Sequence, residues 1–190
     1  MGSFFGHLNT VLSHKRLVFY HARKIGIPYR GFLHDMSKFS PVEFFSGVKY
    51  YAQGKRSPNE IQREKHGYSS AWLHHKGVNK HHFEYWTDYN PKQRCVMPVK
   101  MPFVYVLEMF CDRVAASKVY QGKNYTDSHP AEYFLGGKEK RVIHPDTSDC
   151  LEALLVMLKD KGEKETFCYI RKNRKILEKQ YNEGGSSATN

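Results

Sequence analysis

Four of the eleven histidines of this chain lie within nine residues, in the segment HHKGVNKHH at 74–82. Imidazole nitrogens are ligands for Fe, Mn, Zn, Ni and Co ions, and carboxylate oxygens bind several of the same metals. His74 and His81 are seven residues apart, as are His75 and His82, so each pair would share one side of a helix. The segment could instead form a solvated basic surface, or an aromatic-flanked patch that stacks on nucleic-acid bases.

Further histidine and aspartate residues stand where apolar side chains are expected. His14 lies on the apolar stripe of the first predicted helix. The adjacent pair His34 and Asp35 directly follows a short apolar segment, and Asp112 interrupts the apolar run 105–116. A buried carboxylate without a partner is very costly, so it needs a cation or several hydrogen bonds. Four helical segments therefore offer ligands to the interior, which indicates a metal centre in a helical bundle.

The elements that would position these residues are predicted to be helices. Apolar residues recur at three- and four-residue steps over 4–24, and Gly26 follows as a stop signal. SPVE at 40–43 and SPNE at 57–60 have the form of helix starts, with proline at the first helical position. We expect Glu43 to close the first of these capping boxes. Further helices are predicted over 58–76, 79–87, 102–120, 147–161 and 163–181.

The remaining segments predict loops. No alternating strand pair with an Asn-Gly or Asp-Gly turn occurs, so we expect no sheet. Residues 88–100 and 121–146 are rich in Pro, Gly, Asn and Asp, which is typical of loops. His7 and His21 are expected at the surface or at the edge of the core. The predicted fold class is therefore all-α.

Length and composition narrow the classes of protein. The 190 residues suit one compact domain over 1–182, followed by a flexible tail over 183–190. The net charge of +11 favours anionic partners. The cysteines show no CxxC spacing, which predicts reduced thiols and a cytoplasmic location, with Cys111 in the core. No stretch approaches 18 apolar residues, so neither a membrane span nor a secretion signal is expected.

The order of the candidate ligands resembles the HD-domain superfamily of metal-dependent phosphohydrolases. In that family an early histidine precedes an adjacent His-Asp pair, often further histidines, and a late aspartate within a helix. His14, the HDMSK segment at 34–38, the cluster at 74–82 and the CDRV segment at 111–114 follow that order. HDMSK is similar to the family's H-D-x-G-K, with serine in place of glycine, and CDRV is similar to A-D-R-L. The resemblance spans roughly residues 7–120.

Two further similarities concern the histidine-rich segment. AWLHHK at 71–76 is similar to the A-x-x-H-H-E of the branch that hydrolyses cyclic dinucleotides, but no G-Y-P follows, so that substrate does not carry over. Along its full length the chain also resembles an uncharacterised bacterial and phage family with HD-x-S-K and HHK-x-x-NKHH blocks. Some members of that family bear the label catalase, although no residues here support a haem enzyme.

The resemblance implies a single-domain HD-like helical bundle with a metal site in its core. One or two divalent ions of Mn, Fe, Co, Ni or Zn are expected, and Asp35 would bridge them. The ligands implied for the first ion are His14, His34, Asp35 and Asp112. The histidines expected to hold the second ion are His75 and His82, because they lie on an aromatic stripe, followed by His74 and His81.

The implied activity is hydrolysis of a phosphate ester by a metal-activated water. The substrate would be a nucleotide, a cyclic nucleotide or a phosphorylated metabolite. Asp35 and Lys38 are the expected catalytic residues, and the expected substrate contacts are Lys38, Asn79, Lys80 and Arg113. Two alternatives stay open: an HD-like diiron oxygenase, and a non-enzymatic basic module that binds nucleic acid. The oligomeric state is left open.

Overall fold

The computed structural model describes residues 2–184 and is predominantly helical. Two short antiparallel strands, β1 and β2, form a hairpin between the fifth and sixth helices. The α-helices are α1 (Gly2–Ile25), α2 (Pro28–Leu33), α3 (Pro41–Lys49), α4 (Pro58–His66), α5 (Ser70–Val78), α6 (Phe103–Gln121), α7 (His129–Leu135) and α8 (Pro145–Glu183). The strands are β1 (Thr87–Asn90) and β2 (Cys95–Pro98).

The helix starts and stops encoded in the sequence are present. Gly26 has φ 86° and ends α1, because glycine reaches this left-handed conformation without strain. Proline occupies the first turn of α3 and of α4, as the two S-P-x-E segments predict. The side chain of Ser40 accepts a hydrogen bond of 3.5 Å from the backbone N–H of Glu43. The predicted start of α3 at a serine cap is therefore confirmed.

The histidine-rich segment differs from the prediction of two helices over 58–76 and 79–87. Gly67, with φ 80°, ends α4, and a new helix starts after Ser69, whose hydroxyl accepts from the backbone N–H of Trp72. Asn79 is extended, and only a 3-10 turn, Phe83–Tyr85, follows it. The seven-residue spacing between 74–75 and 81–82 therefore does not place these histidines on one helix.

The expectation of no sheet is wrong, because β1 and β2 pair from Thr87 opposite Pro98 to Asn90 opposite Cys95. The turn does not use an Asn-Gly pair. The Oδ1 atom of Asn90 accepts from the backbone N–H groups of Lys92 and Gln93, at 2.9 and 3.1 Å. The side chain of Asn90 thus forms the hydrogen bonds that close the turn. The predicted loop 121–146 also contains a helix, α7.

The last two predicted helices form one long element with a break. Gly162 has φ 77° and ψ 167° inside α8, so the two halves of α8 meet at the residue that separates the predicted helices. The helix continues to Glu183, at the start of the predicted tail, and residues 185–190 lie outside the described residues.

The core lies between α1, α6 and α8, and it contains Val18, Leu107, Phe110 and Leu155, which are fully buried. Cys111 is buried as well, so its predicted place in the core is confirmed. Among residues 2–184, each helix is too short or too polar to cross a membrane. The three core helices form the frame against which the shorter α2, α3 and α5 hold polar side chains.

Candidate metal centre

A close contact between the first two helices brings the His34-Asp35 pair toward α1. Gly31 is buried in α2, and a Cβ atom built on it would lie 2.5 Å from the Cβ of Ala22. Only a residue without a side chain allows this approach. Because α2 ends at Leu33, the packing of Gly31 sets the position of the two residues that follow.

Lys15 fixes the end of α2. Its Nζ atom donates to the carbonyls of Phe32 and His34, at 2.7 Å each. The last carbonyls of a helix lack partners within the helix, and a cation satisfies them. Lys15 follows His14 directly in α1, so the same turn of α1 that offers one histidine also holds the backbone of the other.

Asp35 adopts a backbone conformation that aspartate tolerates better than most residues. Its φ is 54° and its ψ is 29°, in the left-handed region. The 3-10 turn Met36–Phe39 starts directly after it and brings Lys38 back over the carboxylate. The Nζ atom of Lys38 lies 2.8 Å from Oδ2 of Asp35. The HDMSK segment is therefore a tight turn that presents Asp35 and Lys38 together.

The histidine-rich segment is tied to that turn by Asn79. The Nδ2 atom of Asn79 donates to Oγ of Ser37 at 2.7 Å and to the carbonyl of His75 at 2.8 Å. Beyond Val78 the chain leaves the helix and turns back, so His81 is buried beside His75. A reversal of the chain, rather than helical spacing, brings these imidazoles together.

His14 from α1, His34 from the turn after α2 and two aspartates form the first group of candidate ligands. The Nε2 atom of His14 lies 3.0 Å from Oδ1 of Asp112 and 3.7 Å from Oδ2 of Asp35. The Nε2 atom of His34 lies 3.4 Å from Oδ2 of Asp35 and 3.6 Å from Oδ1 of Asp112. Residues from α1, from the turn after α2 and from α6 thus converge.

The second group surrounds the other oxygen of the same aspartate. The Nε2 atoms of His75 and His81 each lie 3.3 Å from Oδ1 of Asp35. His82 completes this group, in which one ligand atom from each residue lies within 4.8 Å of all the others. Asp35 therefore belongs to both groups and faces each with a different oxygen.

These separations fit a metal ion at the centre of each group. Metal–nitrogen bonds of 2.0–2.1 Å place neighbouring ligand atoms about 3.0–3.4 Å apart in octahedral or tetrahedral geometry. Within residues 2–184, four buried atoms of the groups have no hydrogen-bond partner, namely Nε2 of His34, His81 and His82 and Oδ1 of Asp35. Because unpartnered buried polar atoms are costly, these clusters could hold metal ions.

Glu108 stands behind two of the candidate ligands. This fully buried carboxylate lies 3.0 Å from Nδ1 of His34 and 3.4 Å from Nδ1 of His81, and it accepts from Nε of Arg30 at 2.8 Å. A neutral imidazole has one N–H and one lone pair. If Nδ1 donates to Glu108, the lone pair on Nε2 faces Asp35, which is the arrangement that metal-binding histidines require.

Glu43 has the same relation to the histidines of α5. Its two carboxylate oxygens lie 2.7 Å from Nδ1 of His74 and 2.7 Å from Nδ1 of His75. The expectation that this side chain closes a capping box is therefore wrong, because the imidazoles take both of its oxygens. His74 is 36% exposed and belongs to none of the ligand groups among the described residues.

The electrostatics keep the carboxylates ionised. Burial raises the pKa of the Asp35 carboxyl, but the charges of His34 and Lys38 outweigh it and hold that pKa well below its usual range. Glu108 is likewise buried, and hydrogen bonds from His34 and His81 lower its pKa to about 2. Burial, with neighbouring His81, lowers the pKa of His82. Burial lowers the pKa of His34, but the charge of Asp35 and the hydrogen bond to Asp112 outweigh it and raise that pKa well above its usual value. The carboxylates are therefore ionised, and a metal ion would displace the proton of His34 on binding.

A cavity of about 750 Å³ adjoins both groups, and Lys38 and Arg113 contribute to its wall. The structure does not bring all the predicted substrate contacts to this cavity. Asn79 and Lys80 line a separate pocket of about 350 Å³, on the side of Arg30. Asn79 acts instead as a link between α5 and the HDMSK turn.

The two other histidines of α1 are not surface residues. His21 is fully buried, with its ring centroid 5.2 Å from that of Phe167, so the expectation of a surface or edge position is wrong for it. His7 is 9% exposed and packs on Gly47, where a Cβ would collide with its ring. His7 and His21 each lie seven residues from His14 in α1, yet neither belongs to the ligand groups described above.

Sequence reasoning missed the supporting residues. The sequence does indicate Glu108, because it lies four residues before Asp112 in an otherwise apolar helix. That spacing puts both carboxylates on one side of the helix. The sequence does not indicate the role of Lys15, because that role depends on carbonyl groups of another helix. Glu43 was noticed only as a possible cap.

The fold and the site define a predominantly helical protein with buried histidine and aspartate clusters that could hold metal ions. The chain belongs to the Family of unknown function (DUF5662), whose model matches residues 3–157. The matched range contains all the candidate ligands and ends within α8. No curated protein and no solved structure matches the chain.

Proposed function

We propose that this protein is an HD-like, metal-dependent phosphohydrolase whose centre holds two divalent transition-metal ions. The proposal rests on one observation above all. Oδ2 of Asp35 faces the imidazoles of His14 and His34, whereas Oδ1 faces those of His75 and His81. A carboxylate that presents a separate oxygen to each of two nitrogen clusters is suited to bridge two ions.

The order of the ligands supports the superfamily as well. An early histidine, the His34-Asp35 pair and the late Asp112 lie far apart in the sequence, yet their ligand atoms are within 3.7 Å of a neighbour. In the HD-like arrangement, His14, His34, Asp35 and Asp112 hold one ion. The second would be held by Asp35, His75, His81 and His82, so His81 joins the two preferred histidines and His74 does not.

A pair of ions supplies an activated water and stabilises the attacking and leaving oxygens of a displacement at phosphorus. The residues of the chain have the remaining roles. Lys38 keeps its ammonium at the edge of the centre and neutralises part of the charge of the phosphoryl group. Glu108 and Glu43 orient the imidazoles through Nδ1. The surplus positive charge of the chain favours the approach of an anionic substrate.

A diiron oxygenase is the second candidate, and the number of imidazoles favours it. His14, His34, His75, His81 and His82 all contribute to the ligand groups. Imidazole is a ligand that suits iron. A purified protein that contains iron, is coloured and consumes oxygen supports this candidate. Hydrolysis of phosphate esters without oxygen, in the presence of Mn or Co, supports the hydrolase.

The proposal is tested by elemental analysis of purified protein, followed by phosphatase assays with Mn, Co, Ni, Fe and Zn. We expect about two ions per chain in the wild type and hydrolysis of a generic aryl phosphate. His34→Ala should lose both the ions and the activity. His66→Ala is a matched control, because His66 is exposed and bonds to Tyr50 outside the ligand groups.

The outcomes separate the candidate functions. Equal trace metal in the wild type and in His34→Ala removes the catalytic proposal. Under that outcome, binding to nucleic acid that survives a strong chelator and collapses with salt supports a basic binding module instead. Full metal content without phosphatase activity, but with oxygen consumption, supports the oxygenase.

A further inference from the structure

Arg113 is a cation without a partner in the wall of the cavity. It follows Asp112 in α6, and its buried Nε atom has no hydrogen-bond partner. Within residues 2–184, its guanidinium forms no ion pair, and its one recorded interaction is with the ring of Phe134, 5.4 Å from the centroid. Arginine remains charged at all ordinary pH values. Arg113 as a whole is half-buried and lines the cavity, and a partly desolvated charge without a counterion favours an incoming anion.

The neighbouring groups do not supply the missing partner. Asp112 is taken up by the imidazoles of His14 and His34. Glu84 lines the same cavity, but its Oε2 atom also has no partner among the described residues, so the two side chains do not form an ion pair. The carboxylates on this side of the cavity therefore leave the guanidinium unpaired.

A second guanidinium on the same wall strengthens the positive charge. Arg141 lies 5.2 Å from the centroid of the Phe134 ring, so two guanidinium groups flank one aromatic side chain. Arg141 donates to the carbonyls of Phe134 and Tyr133 at the end of α7. Because those bonds occupy Arg141, it has a structural role, and of these two guanidinium groups Arg113 is the one that is free to bind a ligand.

We propose that Arg113 forms a second anion subsite of the cavity, apart from the ions, which receives a carboxylate or phosphate on the substrate. The inference rests on the proposed function, and it narrows the substrate to a phosphate ester that carries a second oxyanion. Arg113 and Asp112 are consecutive, with Cα atoms about 3.8 Å apart. Because Asp112 and Arg113 line the same cavity, one substrate molecule can reach the ions with its phosphoryl group and Arg113 with its other end.

The guanidinium suits this role better than the other cation of the centre. Arginine presents several N–H donors in a planar fork that matches the two oxygens of a carboxylate or phosphate. Lys38 is a point charge that is already 2.8 Å from Asp35. Lys38 is therefore suited to the reacting phosphoryl group, and Arg113 to a group that is recognised but does not react.

The test uses nonhydrolysable alkylphosphonates of increasing chain length and the metal-loaded protein. Calorimetry measures the affinity of each compound. It is compared with the affinities of two analogues of the same alkyl length, one that ends in a carboxylate and one that ends in a second phosphonate. At the length that spans the two subsites, we expect the terminal oxyanion to tighten binding about tenfold in the wild type. The two chain ends reveal whether carboxylate or phosphate is preferred.

Variants test whether Arg113 is the source of this gain in affinity. Arg113→Met should abolish the gain, measured as the ratio of the two affinities within the same variant, and Arg113→Lys should keep part of it. Lys123→Met removes one exposed charge outside the cavity and should keep all of it. Thermal unfolding of each variant shows that it is folded.

Two results overturn the inference: a wild type without any gain at any length, and a gain that survives in Arg113→Met. The proposed function fails separately, through a wild type that contains no stoichiometric metal. In that case the gain, measured without ions, still decides whether Arg113 binds an oxyanion.

Discussion

Glu108 lies 3.0 Å from Nδ1 of His34, while Nε2 on the opposite side of the same ring lies 3.4 Å from Asp35. The imidazole is thus held between two buried carboxylates. The Nδ1 of His81 lies 3.4 Å from the same oxygen of Glu108, although His34 and His81 face different oxygens of Asp35. Glu108 therefore links the two proposed ion sites from behind.

The first prediction concerns this link. Glu108→Gln keeps the shape of the side chain but removes the charge that orients two imidazoles and pairs with Arg30. We expect metal affinity to fall about 10- to 100-fold, and both ions to be affected. Glu43→Gln is the matched comparison, because the two imidazoles paired with Glu43 are those of His74 and His75 in α5, so it should weaken one ion. Metal titration by calorimetry measures both, and loss of a single ion in Glu108→Gln would contradict the link.

The second prediction concerns the bridging role of Asp35. Asp35→Asn should lower the metal content from about two ions to none, whereas Asp112→Asn should affect the first ion alone. Asparagine also tolerates the left-handed backbone at φ 54°, so this change removes the carboxylate without adding backbone strain. Elemental analysis after dialysis gives the counts. If Asp35→Asn and Asp112→Asn lose the same number of ions, Asp35 is not a bridge.

The third prediction concerns the helix contact that positions the pair. Gly31→Ala brings a methyl group to 2.5 Å from the Cβ of Ala22, so α2 must move away from α1. We expect a loss of about 1–3 kcal/mol in the free energy of unfolding, from denaturant melts, together with weaker metal binding. Gly77→Ala is a suitable control, because a Cβ at this helical position meets nothing within 4 Å. Equal stability of the two variants would refute the argument.

The fourth prediction concerns stability at acidic pH. Burial, followed by the charge of Lys118, lowers the pKa of His21 from 6.5 to about 4. The unfolded chain therefore binds the proton more readily than the folded one. The contribution of a neutral His21 is complete above pH 6.5 and is lost as the pH falls toward 4, and it amounts to about 3 kcal/mol.

The measurement is urea unfolding of the wild type and of His21→Met across this range of pH. Methionine is apolar and does not titrate, so the variant should lose less stability on acidification. The difference between the two proteins should change by about 3 kcal/mol between pH 6.5 and 4. A difference that does not vary with pH would show that His21 does not carry this dependence.

Local sequence signals located several helix starts and stops. Pro41 and Pro58 start helices, and Gly26 and Gly162 mark a stop and a break. These signals work because proline and glycine act on the backbone of their own residue. The hairpin and the end of α5 at Val78 were missed, because an asparagine side chain closes the hairpin turn and a contact with Ser37 anchors the residue that follows α5.

The residue types of the centre were visible in the sequence as well. Histidine and aspartate on apolar stripes mark His14, Asp35 and Asp112, since burying such groups requires a partner. For the cluster at 74–82, helical spacing predicted histidines on one helix, which is wrong. It also did not indicate which of the imidazoles approach Asp35. In the structure His75, His81 and His82 approach Asp35, while His74 bonds to Glu43.

The sequence alone thus determined the helical character, several helix starts and the kinds of candidate ligand, because these depend on single residues and their near neighbours. Tertiary structure alone decided which oxygen of Asp35 faces which imidazoles, that Glu108 supports two of them, and that Arg113 forms no ion pair within residues 2–184. Distances between segments dozens of residues apart arise from the packing of whole helices, and no local pattern records them.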